Sequence, residues 1–81
     1  MSVQMQYVQS SNLEAVGYSR KTERLYIQFK SGAEWVYNGV SFTVYQNLMS
    51  APSKGKYFYY NIRDIYAAWE GSPDTDDELF I

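Results

Sequence analysis

The chain reads as an α+β domain: a small antiparallel sheet of three or four strands, followed by two helices packed on one of its faces. Three observations predict this. In residues 24–29, Leu25, Ile27 and Phe29 alternate with Arg24, Tyr26 and Gln28, the period of two of a half-buried strand. From Ser41 onward the apolar spacing changes to three and four, first through Phe42, Tyr45 and Met49, then through Phe58, Ile62, Ile65 and Trp69. Each helical stretch follows a serine suited to cap it, and Pro52 stands between the two. Strands first and helices afterwards describe a two-layer α+β arrangement.

Taken in order, residues 3–8 alternate weakly, with Val3, Met5 and Tyr7 on one side, and read as a first strand. Ser10-Ser11-Asn12 is turn-like. Leu13–Tyr18 is the second strand, with Leu13, Ala15 and Gly17 on one face and Glu14, Val16 and Tyr18 on the other. Ser19-Arg20-Lys21-Thr22 is a polar connection to the third strand, Arg24–Phe29. A short helix runs from Phe42 to about Ser50, with Ser41 as N-cap and Val40 placed to staple against Tyr45. The longest helix follows Ser53 and fades near Gly71, with Phe58, Ile62, Ile65 and Trp69 on its core face. Burying Phe58, Ile62 and Ile65 under the sheet contributes ~1.5–3 kcal/mol each.

The turn after Phe29 decides what the sheet shows to solvent. With Lys30 and Ser31 in a type I turn and Gly32 at φ > 0 as a bulge, Ile27 faces Trp35 and Leu25 faces Tyr37. Both rings then join the core face. With Ser31-Gly32 as a two-residue loop, the register slips by one, and both rings stand beside Arg24, Tyr26, Gln28 and Lys30 as a basic aromatic platform. The bulge is favoured because glycine suits its αL position and a small domain needs those rings in its core.

Composition excludes several function classes. The 81 residues contain no cysteine and no histidine, so disulfides, thiolate chemistry, a zinc site and a histidine general base are ruled out. No cofactor and no metal is implied. The body carries only Glu14, Glu23, Glu34 and Asp64, spread over different elements, so the expectation is that the protein is not an enzyme. No apolar run approaches transmembrane length and the first residues lack a signal-peptide pattern, which makes a cytoplasmic location the default and a membrane partner unexpected. The net charge of −2 is unevenly spread. Residues 1–69 hold seven Lys/Arg against four Asp/Glu, whereas residues 70–81 hold five acids and no base. The division is therefore a domain over residues 1–70 and an acidic, flexible tail over residues 71–81.

The functional clue lies between Ser50 and Tyr66, which holds three of the seven basic residues. Read as a helix, it places Lys56, Tyr60 and Arg63 opposite the core face. Lys54, Lys56 and Arg63 suit phosphate contacts, and Tyr59 and Tyr60 suit base stacking, worth ~1–3 kcal/mol per base. The competing reading is a solvated helix face, against which a tyrosine exposed between cations weighs. Ser53-Lys54-Gly55-Lys56 offers a simple cap or an anion cradle, and it lacks the glycine spacing of a P-loop.

These residues also carry a resemblance. Ser10-Ser11-Asn12-Leu13, Ala15-Val16-Gly17-Tyr18, Leu25-Tyr26-Ile27-Gln28-Phe29 with Ser31-Gly32, and Trp35-Val36-Tyr37 form part of it. The rest is Ala51-Pro52-Ser53-Lys54-Gly55-Lys56-Tyr57-Phe58 with Ile62-Arg63-Asp64. Over about residues 8–66 the chain resembles the KTSC domain family, known from the C-terminus of some lysyl-tRNA synthetases and as free-standing bacterial or phage proteins. That company implies RNA binding by analogy alone. The chain departs from the family pattern in Trp35-Val36-Tyr37, where Tyr-x-Tyr is usual, and in Tyr59-Tyr60-Asn61, where a polar stretch with Asn, Arg and His is usual.

The tail has its own likeness. Asp74-Thr75-Asp76-Asp77-Glu78-Leu79-Phe80-Ile81 is similar to the acidic, hydrophobic-tipped C-termini of bacterial and phage single-strand DNA-binding proteins, which recruit replication partners. The expected function is therefore binding of single-stranded DNA or RNA with little sequence preference, the tail competing for the binding face or recruiting a replication or host protein. The rival expectation is a protein-interaction module without nucleic acid. An exposed first strand also suits pairing across a homodimer.

Overall fold

The strands form a meander in which every neighbour in the sheet is also the next strand along the chain. In this computed structural model, which describes residues 3–73, β1 (Gln6–Tyr7), β2 (Leu13–Ser19), β3 (Arg24–Phe29), β4 (Glu34–Asn38) and β5 (Ala68–Glu70) follow the order β1-β2-β3-β4-β5, all antiparallel. Helices α1 (Phe42–Ser50) and α2 (Lys54–Asn61) lie between β4 and β5. The α+β class holds, with one strand more than expected.

The turn after β3 takes the bulged form. Gly32 sits at φ 99°, its amide donates to the Phe29 carbonyl at 2.9 Å, and Phe29 N–H donates to Ala33 at 2.8 Å. Leu25 therefore faces Tyr37 and Ile27 faces Trp35. A second irregularity was not expected. The β2–β3 register shifts between Leu13 and Ala15, so Leu13 pairs with Phe29 and Val16 with Ile27. That bulge turns both Leu13 and Val16 toward the helices, which strict alternation forbids.

The helices cover that face. Leu13, Val16, Leu25, Ile27 and Tyr37 from the sheet meet Val40, Leu48, Phe58 and Ile62 in one buried cluster. Phe58 is central: its ring lies edge-on to Phe29 at 5.5 Å and to Tyr37 at 5.3 Å. Both N-caps form as their sequences suggest. Ser41 accepts from the Val44 amide, and Ser53 from the Lys56 amide.

The other face is covered by chain ends. Tyr26 and Val36 point away from the helices and are fully buried. The segment Val3–Met5 crosses beside Gly17, the cross-strand partner of Tyr26, where a Cβ would lie 2.6 Å from Met5 Sδ. Glycine lets the two backbones approach. At the opposite edge, Gly71 packs near Val36 and Trp69, and its amide donates to Glu34 at 3.0 Å.

The largest departure is the length of α2. The apolar spacing predicts a helix to Gly71, but α2 ends at Asn61. Ile62 leaves helical geometry at φ −129°, ψ −47°, and both Ile62 and Arg63 donate to the Phe58 carbonyl. Two causes act together. Residues 57–66 are rich in aromatic, β-branched, Asn and Asp residues, which gain little from a helix. The free edge of β4 also offers a row of backbone groups that residues 68–70 satisfy as a strand, Val36 pairing with Trp69. Phe58 and Ile62 are buried as expected, whereas Ile65 is 63% exposed and Trp69 belongs to β5, so neither completes a helical core face.

No helix among the described residues is long and apolar enough to cross a membrane.

Candidate functional site

Two loops at one end of the sheet are tied together. Ser10 Oγ accepts from the amides of Asn12 and Leu13, each at 3.2 Å, which fixes the turn into β2. The Lys30 amide donates to the Asn12 carbonyl at 2.9 Å, which holds the β3–β4 turn beside it. The first turn of α2 abuts this corner: a Cβ on Gly55 would lie 3.4 Å from Ser10 Oγ.

Between these loops and α2 runs a groove of about 640 Å³, inside the ~300–1,000 Å³ range of small-molecule sites. The two loops contribute Ser11, Asn12, Lys30 and Ser31 to its lining. Gly55 and Tyr59 of α2, with Arg63 and Asp64 after it, contribute more, and Leu13, Phe29, Trp35, Tyr37, Phe58 and Ala68 complete it. The bulge at Gly32 puts Trp35 and Tyr37 on this face, and Gly55 leaves the groove open above Asn12.

The five residues expected at a nucleic-acid face divide. Tyr59 and Arg63 line the groove, with the Arg63 guanidinium 5.0 Å from the Tyr59 ring centre. Because α2 stops at Asn61, Arg63 is not in line with Lys56 and Tyr60, and its neighbour is Tyr59 rather than Tyr60. Lys56 and Tyr60 are exposed and outside the groove lining, each one residue and ~100° past Gly55 and Tyr59. The Tyr60 ring meets Tyr59 edge-on at 5.1 Å. Lys54 turns back, its Nζ donating to the Ala51 carbonyl at 3.4 Å. The tail residues Asp76, Asp77, Glu78, Leu79, Phe80 and Ile81 lie outside the described residues.

Sequence reasoning missed Asn12, Lys30, Trp35, Tyr37 and Asp64 as groove residues. The available signal was the favoured bulge, which puts Trp35 and Tyr37 on the helix side, combined with a glycine in the first turn of α2.

Electrostatics single out Tyr37. Burial raises its phenol above the ordinary value, while Arg63 pulls it down and Asp64 pushes it up. Tyr18 moves the same way, through burial first and Glu23 next. The unfolded chain then releases these protons before the folded one does. The stability they contribute is complete below the unfolded value near ~10 and is lost as pH rises through the folded value. Urea midpoints are therefore expected to fall above pH ~10, and Tyr37→Phe to flatten part of that slope. A wild-type midpoint constant across that range would contradict the assignment.

A family model described as KTSC domain matches residues 9–66. The chain belongs to the KTSC domain family. A crystal structure of a KTSC domain protein from Yersinia pestis superposes with a TM-score of 0.84 at 34% identity, over 88% of this chain and 100% of that one. A protein of Tsukamurella paurometabola is 38% identical over 53 residues, 65% of this chain and 79% of its own. An uncharacterized protein of Stutzerimonas stutzeri is 39% identical over 51 residues, 63% of this chain and 72% of its own. The groove of this KTSC domain is built almost wholly within the matched span, with Ala68 alone beyond it.

Proposed function

We propose that this KTSC domain is a non-catalytic module that binds single-stranded nucleic acid, DNA or RNA, by seating a base in the aromatic groove. One observation carries the reading. Arg63 lies over the ring of the half-exposed Tyr59, in a groove that Lys30, Trp35 and Tyr37 also line. Rings supply stacking that every base accepts, and the two cations flank them where a strand's phosphates would pass.

The acidic residues Asp76, Asp77 and Glu78 act in this reading as an intramolecular competitor for the cations. Residues 72–81 span about 33 Å when extended, against principal extents of 37 × 25 × 20 Å for the domain. Tethering raises their effective concentration, while each exposed ion pair contributes only ~0.2–1 kcal/mol, so masking is partial.

Fluorescence anisotropy with labelled oligothymidylate and oligouridylate tests the reading. Binding is expected at low salt and is expected to weaken as salt rises, with a log–log slope of about −0.7 per neutralised phosphate. Deleting residues 72–81 is expected to tighten it, most at low salt. Absence of binding by both the full chain and the shortened one would overturn the reading in favour of a protein-interaction module.

A further inference from the structure

We propose that the groove reads one nucleotide of its bound strand as guanine. This rests on the single-strand reading above. The starting point is a carboxylate in a place meant for phosphates. Asp64 lines the groove beside Arg63, yet an acid there repels a nucleic-acid backbone. It makes no hydrogen bond or ion pair among the described residues, and the neighbouring guanidinium lies over the face of Tyr59. Asp64 thus contributes two acceptors to the groove lining that no described residue occupies.

A second group points to the same occupant. Tyr37 is only 4% exposed, and its hydroxyl has no hydrogen-bond partner among the described residues. A hydroxyl at the groove lining with no protein partner is available to a ligand atom. Arg63 and Asp64 line the same groove as Tyr37, and both act electrostatically on its phenol. The groove thus offers two adjacent acceptors and one donor, with Tyr59 and Trp35 available to stack a ring.

The edges of the four bases decide between them. Guanine carries N1–H and N2–H side by side, two donors that match two carboxylate oxygens, with O6 next to them as an acceptor for the hydroxyl. Adenine and cytosine each set a ring nitrogen acceptor beside their amino group, which would face a carboxylate oxygen in repulsion. Thymine and uracil flank a single N–H with two carbonyls. Unpaired bases in single strands expose these edges to side chains.

The experiment uses the full chain and a labelled oligothymidylate with one central guanine. Matched strands carry adenine, cytosine, thymine or hypoxanthine at the same place. The guanine strand is expected to bind roughly tenfold tighter than the adenine, cytosine and thymine strands. Hypoxanthine, which lacks the 2-amino group, is expected to fall between. Asp64→Asn, at an exposed position, is expected to bring the guanine-to-thymine ratio to about one, with the fold checked by circular dichroism. Equal affinity for all strands, preference for another base, or a guanine preference that survives Asp64→Asn would overturn this assignment and leave single-strand binding standing. No binding of any strand would overturn both.

Discussion

Replacing Phe58 with alanine is expected to lower the unfolding free energy by about 3–5 kcal/mol. The ring is buried and lies edge-on to both Phe29 and Tyr37, joining α2 to the outer end of β3 and the middle of β4. Its loss leaves a cavity between the layers that neither the paired strands nor a two-turn helix can close. A chain of 81 residues has a total stability on the order of 4–12 kcal/mol, so the variant sits near its folding threshold. Urea denaturation followed by far-UV circular dichroism measures the change. Ile65→Ala is the internal control: at 63% exposure it should shift the midpoint little. Equal losses for the two variants would mean that α2 continues past Asn61.

Tyr59→Ala is expected to weaken oligonucleotide binding by about 1–3 kcal/mol, while the urea midpoint stays almost unchanged. The ring is 53% exposed and contributes to the groove wall rather than to the core. Its removal also takes away the platform that holds the Arg63 guanidinium. Tyr60→Ala is the comparison, because Tyr60 is 71% exposed and stands outside the groove. A stripe along the outside of α2 would make Tyr60 the more sensitive position. The groove makes it Tyr59, and anisotropy titrations of the two variants separate the cases.

Much of the architecture was legible because local rules and the global fold agree. Period-two alternation located β3, and glycine's tolerance of positive φ fixed the β3–β4 register. Two capping serines located both helix starts. The failures arose where a distant partner overrode a local pattern. The spacing of Phe58, Ile62, Ile65 and Trp69 is genuinely helical, but the open edge of β4 recruits residues 68–70. Nothing local in Ala68-Trp69-Glu70 announces that pairing. The bulge near Glu14 is equally silent in sequence, since strict alternation puts Leu13 and Val16 on opposite faces. The site followed the same division. Tyr59 and Arg63 were each legible as a ring and a cation, but the helical stripe set Arg63 beside Tyr60, and its place beside Tyr59, like the meeting of Lys30, Asn12 and Asp64, comes only once both loops and the end of α2 are in place.

The pairing of β5 with β4 has a consequence for how the molecule opens. Every other pair of strands is joined by a short connection, but residues 39–67, with both helices, lie between these two. The last strand is thus a clasp that closes the helical layer over the sheet. Its first residue, Ala68, pairs with Tyr37 and borders the groove. Unfastening the clasp frees the far end of the helical segment and dismantles the groove in the same motion. A ligand that binds only the fastened form holds it shut by mass action. Amides of Ala68–Glu70 and their partners on β4 should then exchange with solvent more slowly in its presence, even those it never touches.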